Sequence, residues 1–332
     1  MKWDVRKFSK KHRRLAFCVN RFGILTVSMY FTSLPDHAAP GFDEQLHFSK
    51  FKKHNIIFNA ESSYGHCDNH VGCLSFKTVL RGEEWYGVNR RRLAISPGRF
   101  LILNDDQAYS CHIHKGESTR TLSIFFKKEF ASAVLHDALQ HEENLLDDPF
   151  PNPEKILEFS PTLHSLESPL RLQLSGLISA LETSEGGAGS IDEHLVFILH
   201  HLIGSHQSAA IHSKNVAAVK PATRAELYRR LCVARDVLHS SYMEKLDLNR
   251  ISEVSCLSVP QLIRQFKAVF NTTPHRYLAE VRVRRAAELL EHTDRPVHEI
   301  TWDCGFENVS SFCRAFKLAY GVQPLHLRKK GA

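Results

Sequence analysis

Leu262-Ile263-Arg264-Gln265-Phe266-Lys267 and Phe312-Cys313-Arg314-Ala315-Phe316-Lys317 are near-copies of one hexapeptide. The correspondence runs on at the same offset of fifty positions, through Phe270 and Tyr320 to Pro274 and Pro324. One unit has been used twice, and its periodicity is helical: Leu262, Phe266, Val269 and Phe270 fall on one face, as do Phe312, Phe316 and Tyr320.

Each copy is preceded by a short helix and a tight turn. Leu248 to Ser255 is expected to bury Leu248, Ile251 and Val254, with the turn at Cys256-Leu257 and a cap at Ser258, Gln261 taking the capping-box position. In the second copy Ile300 and Cys304 occupy the short helix, Gly305-Phe306 the turn and Asn308 the cap, with one residue more between them. Short helix, turn and second helix form the helix-turn-helix pattern, whose second helix enters the DNA major groove. Between the copies a helix from Pro274 to about Thr293 is predicted, with Ala279, Val283, Ala286 and Leu290 as its buried stripe. At 1.5 Å per residue it is roughly 30 Å long, close to the ~34 Å of one DNA turn. Ahead of both copies, Thr223 and Glu226 read as a capping box for a helix with Leu227, Leu231, Ala234 and Leu238 inward.

Charge agrees with this reading. The chain of 332 residues carries a formal +7, with eight Lys/Arg against one Asp in Met1–Arg21 and eighteen Lys/Arg against twelve Asp/Glu in Arg224–Ala332, so the middle is acidic. A basic end built of paired helical units suits a polyanion. The length suggests two domains, and 43% hydrophobic with 24% charged residues is globular. Eight cysteines without Cys-x-x-Cys or zinc-ligand spacing read as reduced, buried thiols of a cytoplasmic protein.

Residues 1–40 combine a basic run, Lys2 to Arg14, with an apolar one, Phe22 to Phe31. Arg21 breaks the resemblance to a leader, no run of about 20 apolar residues occurs, and a basic arm or an over-extended start is expected. Residues 41–165 hold short alternating runs (Leu74, Phe76, Thr78, Leu80; Leu93-Ala94-Ile95; Phe100 to Leu103; Thr121 to Phe126) between turn signals, the pattern of an antiparallel β-barrel or sandwich able to enclose a ligand. Residues 166–205 form a helical hairpin. Ser168-Pro169 starts the first helix, striped by Leu170, Leu174, Leu177, Ile178 and Leu181, and Ser190 with Glu193 caps the second, striped by Ile191, Leu195, Ile198, Leu199 and Leu202. Those stripes fit packing on the barrel or a dimer interface, and both readings stay open. Residues 206–222 read as a linker, and 223–332 as the doubled DNA-binding unit.

The Arg-x-Phe-Lys repeats, Tyr277-Leu278, Arg282-Val283, Ala286 and Leu289-Leu290 of the joining helix, Gly305-Phe306, and Gly321-x-x-Pro324 to Arg328 together resemble the AraC/XylS family of transcriptional regulators over about Ala225 to Lys330. Leu93 to Asn104 is more weakly similar to the cupin-type sensor half of such regulators. The resemblance implies an α+β chain of two domains: a cupin-like barrel with its hairpin, and an all-α domain with two helix-turn-helix units. It further implies binding of double-stranded DNA by both units and control of transcription, often activation by contact with RNA polymerase; beside it, the barrel leads to an expected small-molecule effector and the hairpin to a homodimer, and no cofactor or membrane partner is expected. The sequence departs from the family pattern at Ser252 and Thr301, where alanine is usual, at Leu327, and at Cys256, which replaces the first turn glycine.

The expected DNA-facing residues are Val259, Pro260, Gln261, Arg264, Gln265 and Lys267 on the first reader and Asn308, Val309, Ser310, Ser311, Arg314 and Lys317 on the second. Gln261 and Arg264 have the chemistry to read adenine and guanine edges, while Lys267, Lys317, Arg284 and Arg285 suit phosphate. Arg264 and Arg314 could instead pair with acids of their own domain, and Arg282 is expected in a structural ion pair. Tyr64, His66, Trp85, Tyr86 and His112 are the expected ligand-lining residues. A rival reading makes the barrel a metal-dependent enzyme through His112-Ile113-His114 and Glu117, but no second ligand cluster accompanies them, so neither metal nor catalysis is expected. A third reading gives the barrel only an assembly role.

Overall fold

Alternation along the strands decides how the first unit is layered. The computed structural model describes residues 14–19, 25–35, 40–114, 118–139, 158–183, 188–218 and 220–328, and divides the chain into Met1–Ser208 and Ala209–Ala332. In the first unit the strands are β1 (Arg14–Val19), β2 (Leu25–Phe31), β3 (Asn55–Ser62), β4 (Gly65–Val71), β5 (Ser75–Arg81), β6 (Glu84–Val88), β7 (Arg91–Ile95), β8 (Arg99–Leu103), β9 (Ala108–Ile113), β10 (Thr119–Phe125) and β11 (His164–Ser165). Its helices are α1 (Glu44–Ser49), α2 (Lys128–Leu139), α3 (Ser168–Glu182) and α4 (Ala188–His212). One sheet runs β1-β2-β3-β10-β5-β8-β11 and the other β4-β9-β6-β7. All pairings are antiparallel except β2 with β3.

The expected barrel therefore takes the form of two sheets. One face of the larger sheet (Ile57, Phe76, Phe100, Ile102, Leu122, Ile124) shares a core with Leu170, Leu174 and Leu177 of α3 and Leu195, Ile198, Leu199 and Leu202 of α4. Its other face sends Val79, Leu101 and Leu103 into a core with Tyr86, Val88, Leu93 and Tyr109 of the smaller sheet. The hairpin stripes thus pack against the larger sheet within the chain, the first of the two expected uses.

Three expectations in this half change. The stretch 1–40 contains β1 and β2, an antiparallel pair joined to β3, so Leu25–Phe31 of its apolar run is strand; Met1 to Arg13 and Asn20 to Ile24 lie outside the described residues. The linker reading fails at its start, because α4 continues to His212 and a 3-10 turn follows at Ser213–Asn215. Ala209 and Ala210 favour helix without contributing an apolar stripe, so periodicity missed them. Ser190 lies inside α4 instead of capping it, and α3 begins at Ser168 with Glu167 as its N-cap.

The second unit contains α5 (Pro221–Ser240), α6 (Leu248–Ser255), α7 (Val259–Phe270), α8 (Pro274–His292), α9 (Val297–Asp303), α10 (Val309–Tyr320) and α11 (Pro324–Arg328). It has two cores. Leu231, Ala234 and Leu238 of α5 meet Ile251, Leu262, Phe266 and Val269 in the first; Ile300, Cys304, Phe312 and Phe316 form the second. The joining helix α8 gives Tyr277, Leu278 and Val281 to the first and Val283, Ala286, Ala287 and Leu290 to the second. Thr273 caps it through its hydroxyl, which accepts from the Arg276 N–H, and Asn308 caps α10 by accepting from the Ser311 N–H. Ser258 is the N-cap of α7 but makes no side-chain cap bond. The Thr223 capping box is replaced by Pro221 at the start of α5, and Glu226 instead accepts from Arg229 and Arg230. Val254 and Tyr320, expected inside, are 45% and 42% exposed.

The two turns solve one problem differently. Cys256 sits in the left-handed region at φ 52°, and Gly305 at φ 76°. A Cβ on Gly305 would lie 2.6 Å from the Tyr242 carbonyl oxygen, 2.9 Å from that of Met243 and 3.0 Å from Arg282 Nη2. Cys256 is exposed, so there a side chain costs only backbone strain. Cys256→Gly is expected to raise stability by about 0.5–1 kcal/mol, and Gly305→Ala to lower it by about 2–3 kcal/mol. Urea unfolding of both variants checks this, and equal effects of one sign at the two turns would refute it.

Candidate functional sites

The face presented by α7 follows from what its core face consumes. Leu262, Phe266 and Val269 point inward, leaving Pro260, Ile263, Arg264, Lys267 and Ala268 exposed, with Val259 and Gln261 half-buried. On α10, Asn308, Val309, Ser310, Arg314 and Lys317 are exposed, and Ser311 is half-buried with its hydroxyl on Asn308. Among the described residues Arg264, Lys267, Arg314 and Lys317 make no side-chain ion pair or hydrogen bond, so the reading that ties both arginines to acids of their own domain is not what the structure holds. Both α7 and α10 leave Arg and Lys three residues apart on one exposed face.

Two expected contacts are lost. Gln265 is 2% exposed, and its amide oxygen accepts from the Ala217 N–H at 3.2 Å. It locks the segment before α5 onto α7 and is unavailable to DNA. Arg285 is buried and donates to Glu288 at 3.2 Å, one turn along α8, whereas Arg284 is exposed. Arg282 is structural, as expected, but its partners are carbonyls. Its Nε donates to Tyr242 and its Nη2 to Glu244, both at 2.7 Å, and the guanidinium lies 5.8 Å from the Phe306 ring centre.

The second site is a cavity of about 70 Å³ in the first unit. Leu34, Pro35, Phe51, Phe58 and Phe125 supply apolar wall, and His47, His70, Lys77, Glu84, Tyr86, Tyr109, Ser123, Cys67 and Cys111 supply polar groups. Of the five expected lining residues only Tyr86 is there. Strand parity explains this, because Trp85 and Tyr86 are neighbours on β6 and must point to opposite faces. Trp85 stacks on His112 at 6.2 Å and lies under the Arg92 guanidinium at 4.9 Å, on the other face of the smaller sheet. His66 pairs there with Asp68 at 2.9 Å, and Tyr64 is 62% exposed. His112 and His114 do share one face, 4.8 Å apart. No group of three or more His, Cys, Asp or Glu with metal-holding placement exists among the described residues, and Glu117 is outside them. Burial, with His114 and Arg92 nearby, pulls the His112 pKa down.

The cavity residues that sequence reading missed carried a signal. Leu74, Phe76, Thr78 and Leu80 alternate, so Lys77 belongs to the opposite face of a strand buried on both sides. Burial pulls the Lys77 ammonium well below its ordinary value, partly opposed by Cys111 and Glu84. Burial pushes Glu84 up, opposed by Lys77 and by the Tyr86 hydroxyl that donates to it. Cys67 and Cys111 face each other across β4 and β9, and their mutual hydrogen bond together with burial keeps the Cys111 thiol protonated.

A pH signature follows from Glu84. Its folded pKa is raised above the ordinary 4.5, so the folded state holds a proton that the unfolded state releases. Stability from this group is present below 4.5 and is lost as pH rises from 4.5 through the raised value. Glu84→Gln should flatten the fall in unfolding free energy over that window, and an unchanged slope in chemical denaturation would contradict the assignment.

Comparison with known proteins finds a match in each unit. Residues 251–330 match the family model of a helix-turn-helix domain, and residues 75–198 that of an AraC-like ligand binding domain. The chain is 34% identical over 92 residues to the HTH-type transcriptional regulator YdeC of Bacillus subtilis, covering 28% of this chain and 32% of that one. It is 21% identical over 285 residues to an HTH-type transcriptional regulator of Haemophilus influenzae, covering 82% and 91%. The chain thus spans about a third of the length of YdeC and nine-tenths of the Haemophilus relative. Among solved structures, an AraC-type regulator from Chromobacterium violaceum aligns with a TM-score of 0.30 and 28% identity over 31% of this chain and 92% of that one. ToxT from Vibrio cholerae aligns with 0.33 and 13% over 81% and 93%.

Proposed function

Because the chain belongs to the AraC family of transcriptional regulators, joining an AraC-like ligand-binding domain to a DNA-binding helix-turn-helix domain, we propose that α7 and α10 read successive major grooves on one face of the duplex. The observation that carries this is the pair of exposed, unpaired Arg/Lys faces on two helices joined by the 19 residues of α8. At 1.5 Å per residue α8 is roughly 28 Å long, within reach of a ~34 Å turn of B-DNA.

In this reading Arg264, with Gln261 beside it, contacts base edges on the first reader. Val259, Pro260 and Ile263 lie against the same groove, and Ile263 has the apolar character to meet a thymine methyl. Lys267, Lys317 and Arg284 hold phosphates and fix register. The second reader offers Val309, Ser310 and Arg314, while Asn308 and Ser311 present the N-terminus of α10 to the backbone. It reads more through shape than through base edges.

The first unit acts as the sensor. A small molecule in the cavity between the sheets shifts the population of a DNA-competent state. Activation through RNA polymerase, as the family resemblance has it, and a homodimeric assembly complete the reading, with regulation and not catalysis as the role of the sheet domain. The assembly-only alternative differs in one respect: no small molecule would alter stability or operator affinity.

Mapping the genomic fragments bound by the full chain supplies the operator. On that operator Arg264→Ala is expected to weaken specific binding by about 1–3 kcal/mol. Lys267→Ala should weaken specific and non-specific binding alike and reduce the salt slope by about one. Fluorescence anisotropy at several salt concentrations measures both, and full-strength specific binding by the Arg264 variant would remove it from the reading face.

A further inference from the structure

Cys67 and Cys111 stand directly opposite each other on β4 and β9, with Gly65 and Ile113, then His66 and His112, paired beside them. Opposed residues of an antiparallel pair have Cα atoms about 4.5–5.5 Å apart, inside the about 4.4–6.8 Å that a disulfide spans. The side chains converge as the backbones do, since the Cys111 S–H donates to the Cys67 sulfur and both residues line the cavity. Each is half-buried, which shelters the sulfurs but leaves them within reach of a small solute. β4 is an edge strand, and its register with β9 breaks between Cys67 and His70, so there is slack where a bond would close. Cys73, two residues before β5, is a third thiol close to Lys77, but it has no cysteine opposite it in a strand pair.

We propose that Cys67 and Cys111 are a modification site, closed to a reversible disulfide by hydrogen peroxide, and that this closure is a signal the first unit passes on. The signalling half rests on the reading of that unit as the sensor. The hydrogen bond divides the roles: Cys111 keeps its proton, so Cys67 is the sulfur left to ionise and attack, and Cys111 resolves. The Lys77 ammonium acts on both sulfurs and favours the thiolate, and the cavity of about 70 Å³ admits a molecule the size of peroxide. The Cys67 thiolate attacks one peroxide oxygen and the O–O bond breaks. The departing hydroxide takes up the proton that Cys67 released, leaving a sulfenic acid and one water. The Cys111 sulfur then attacks the sulfenic sulfur, and its proton leaves with the hydroxyl as a second water. Two S–H bonds and one O–O bond are thus replaced by one S–S bond and two O–H bonds, the sulfurs giving two electrons to peroxide. Closure draws the edge strand β4 onto β9 and removes both S–H groups from the cavity wall, so the reduced and oxidised units are distinct states.

The test uses the full chain, reduced, treated with hydrogen peroxide at low molar excess, alkylated and digested with trypsin for mass spectrometry. Residues 54–77 should appear linked to residues 100–115, in the parent and in the Cys73→Ser variant, and a thiol reductant should separate them. In the Cys111→Ser variant dimedone should trap a sulfenic acid at Cys67, and in the Cys67→Ser variant it should trap none at Cys111. Lys77→Met should slow formation of the link about tenfold. Operator affinity should differ about fivefold or more between the reduced and oxidised parent, and peroxide should leave it unchanged in Cys67→Ser. No linked peptide from the parent, or a link that requires Cys73, would overturn the disulfide whatever the variants do. A fully linked chain with the operator affinity of the reduced one would overturn its role as a signal. Failure of both forms to bind the operator would instead sink the regulator reading, with the disulfide standing.

Discussion

The second unit depends on one helix serving two cores. The buried face of α8 is divided along its length, with Tyr277, Leu278 and Val281 packed around Phe266 and Val283, Ala286, Ala287 and Leu290 packed around Phe312 and Phe316. Each helix-turn-helix completes its core with residues of the shared helix. A rigid helix common to both fixes the distance and rotation between α7 and α10. What looks like a spacer is therefore a structural member of both readers, and their relative placement is as firm as the packing on α8.

A polar junction reinforces that placement. Arg282, midway along α8, ties down the Tyr242 and Glu244 carbonyls at the end of the first helix, and Gly305 of the second turn comes against the Tyr242 and Met243 carbonyls. This explains why the two turns tolerate different residues. The second needs glycine because backbone approaches where a Cβ would be, whereas the first faces solvent and holds Cys256 at positive φ. The substitutions at Ser252 and Thr301 are absorbed locally, with the Thr301 hydroxyl donating to the Val297 carbonyl at 2.8 Å and the Ser252 hydroxyl to the Leu257 carbonyl.

The doubled unit was legible because helical periodicity, caps and an internal repeat all pointed one way. Leu262, Phe266, Phe312 and Phe316 are all buried, and the α8 limits differ from the expected ones by a residue at most. Polar residues at core boundaries were not legible. Gln265 and Arg285 lie beside exposed Arg264 and Arg284, and only the packing of neighbouring segments shows that the first meets the Ala217 backbone and the second Glu288. In the sheet domain the strands could be read but their partners could not, since sheet order comes from long-range pairing. Without the order, aromatic and histidine side chains drew the eye to the face carrying Trp85 and His112, one residue out of register with the cavity. Lys77 is the residue that alternation could have found.

Guanine N7 methylation interference on the mapped operator probes the shared-helix geometry most directly. Two clusters of interfering guanines, about 10 base pairs apart and on one face of the duplex, are expected for α7 and α10 in successive major grooves. A single cluster, or two clusters on opposite faces, would contradict a pair of readers held in fixed relation by α8.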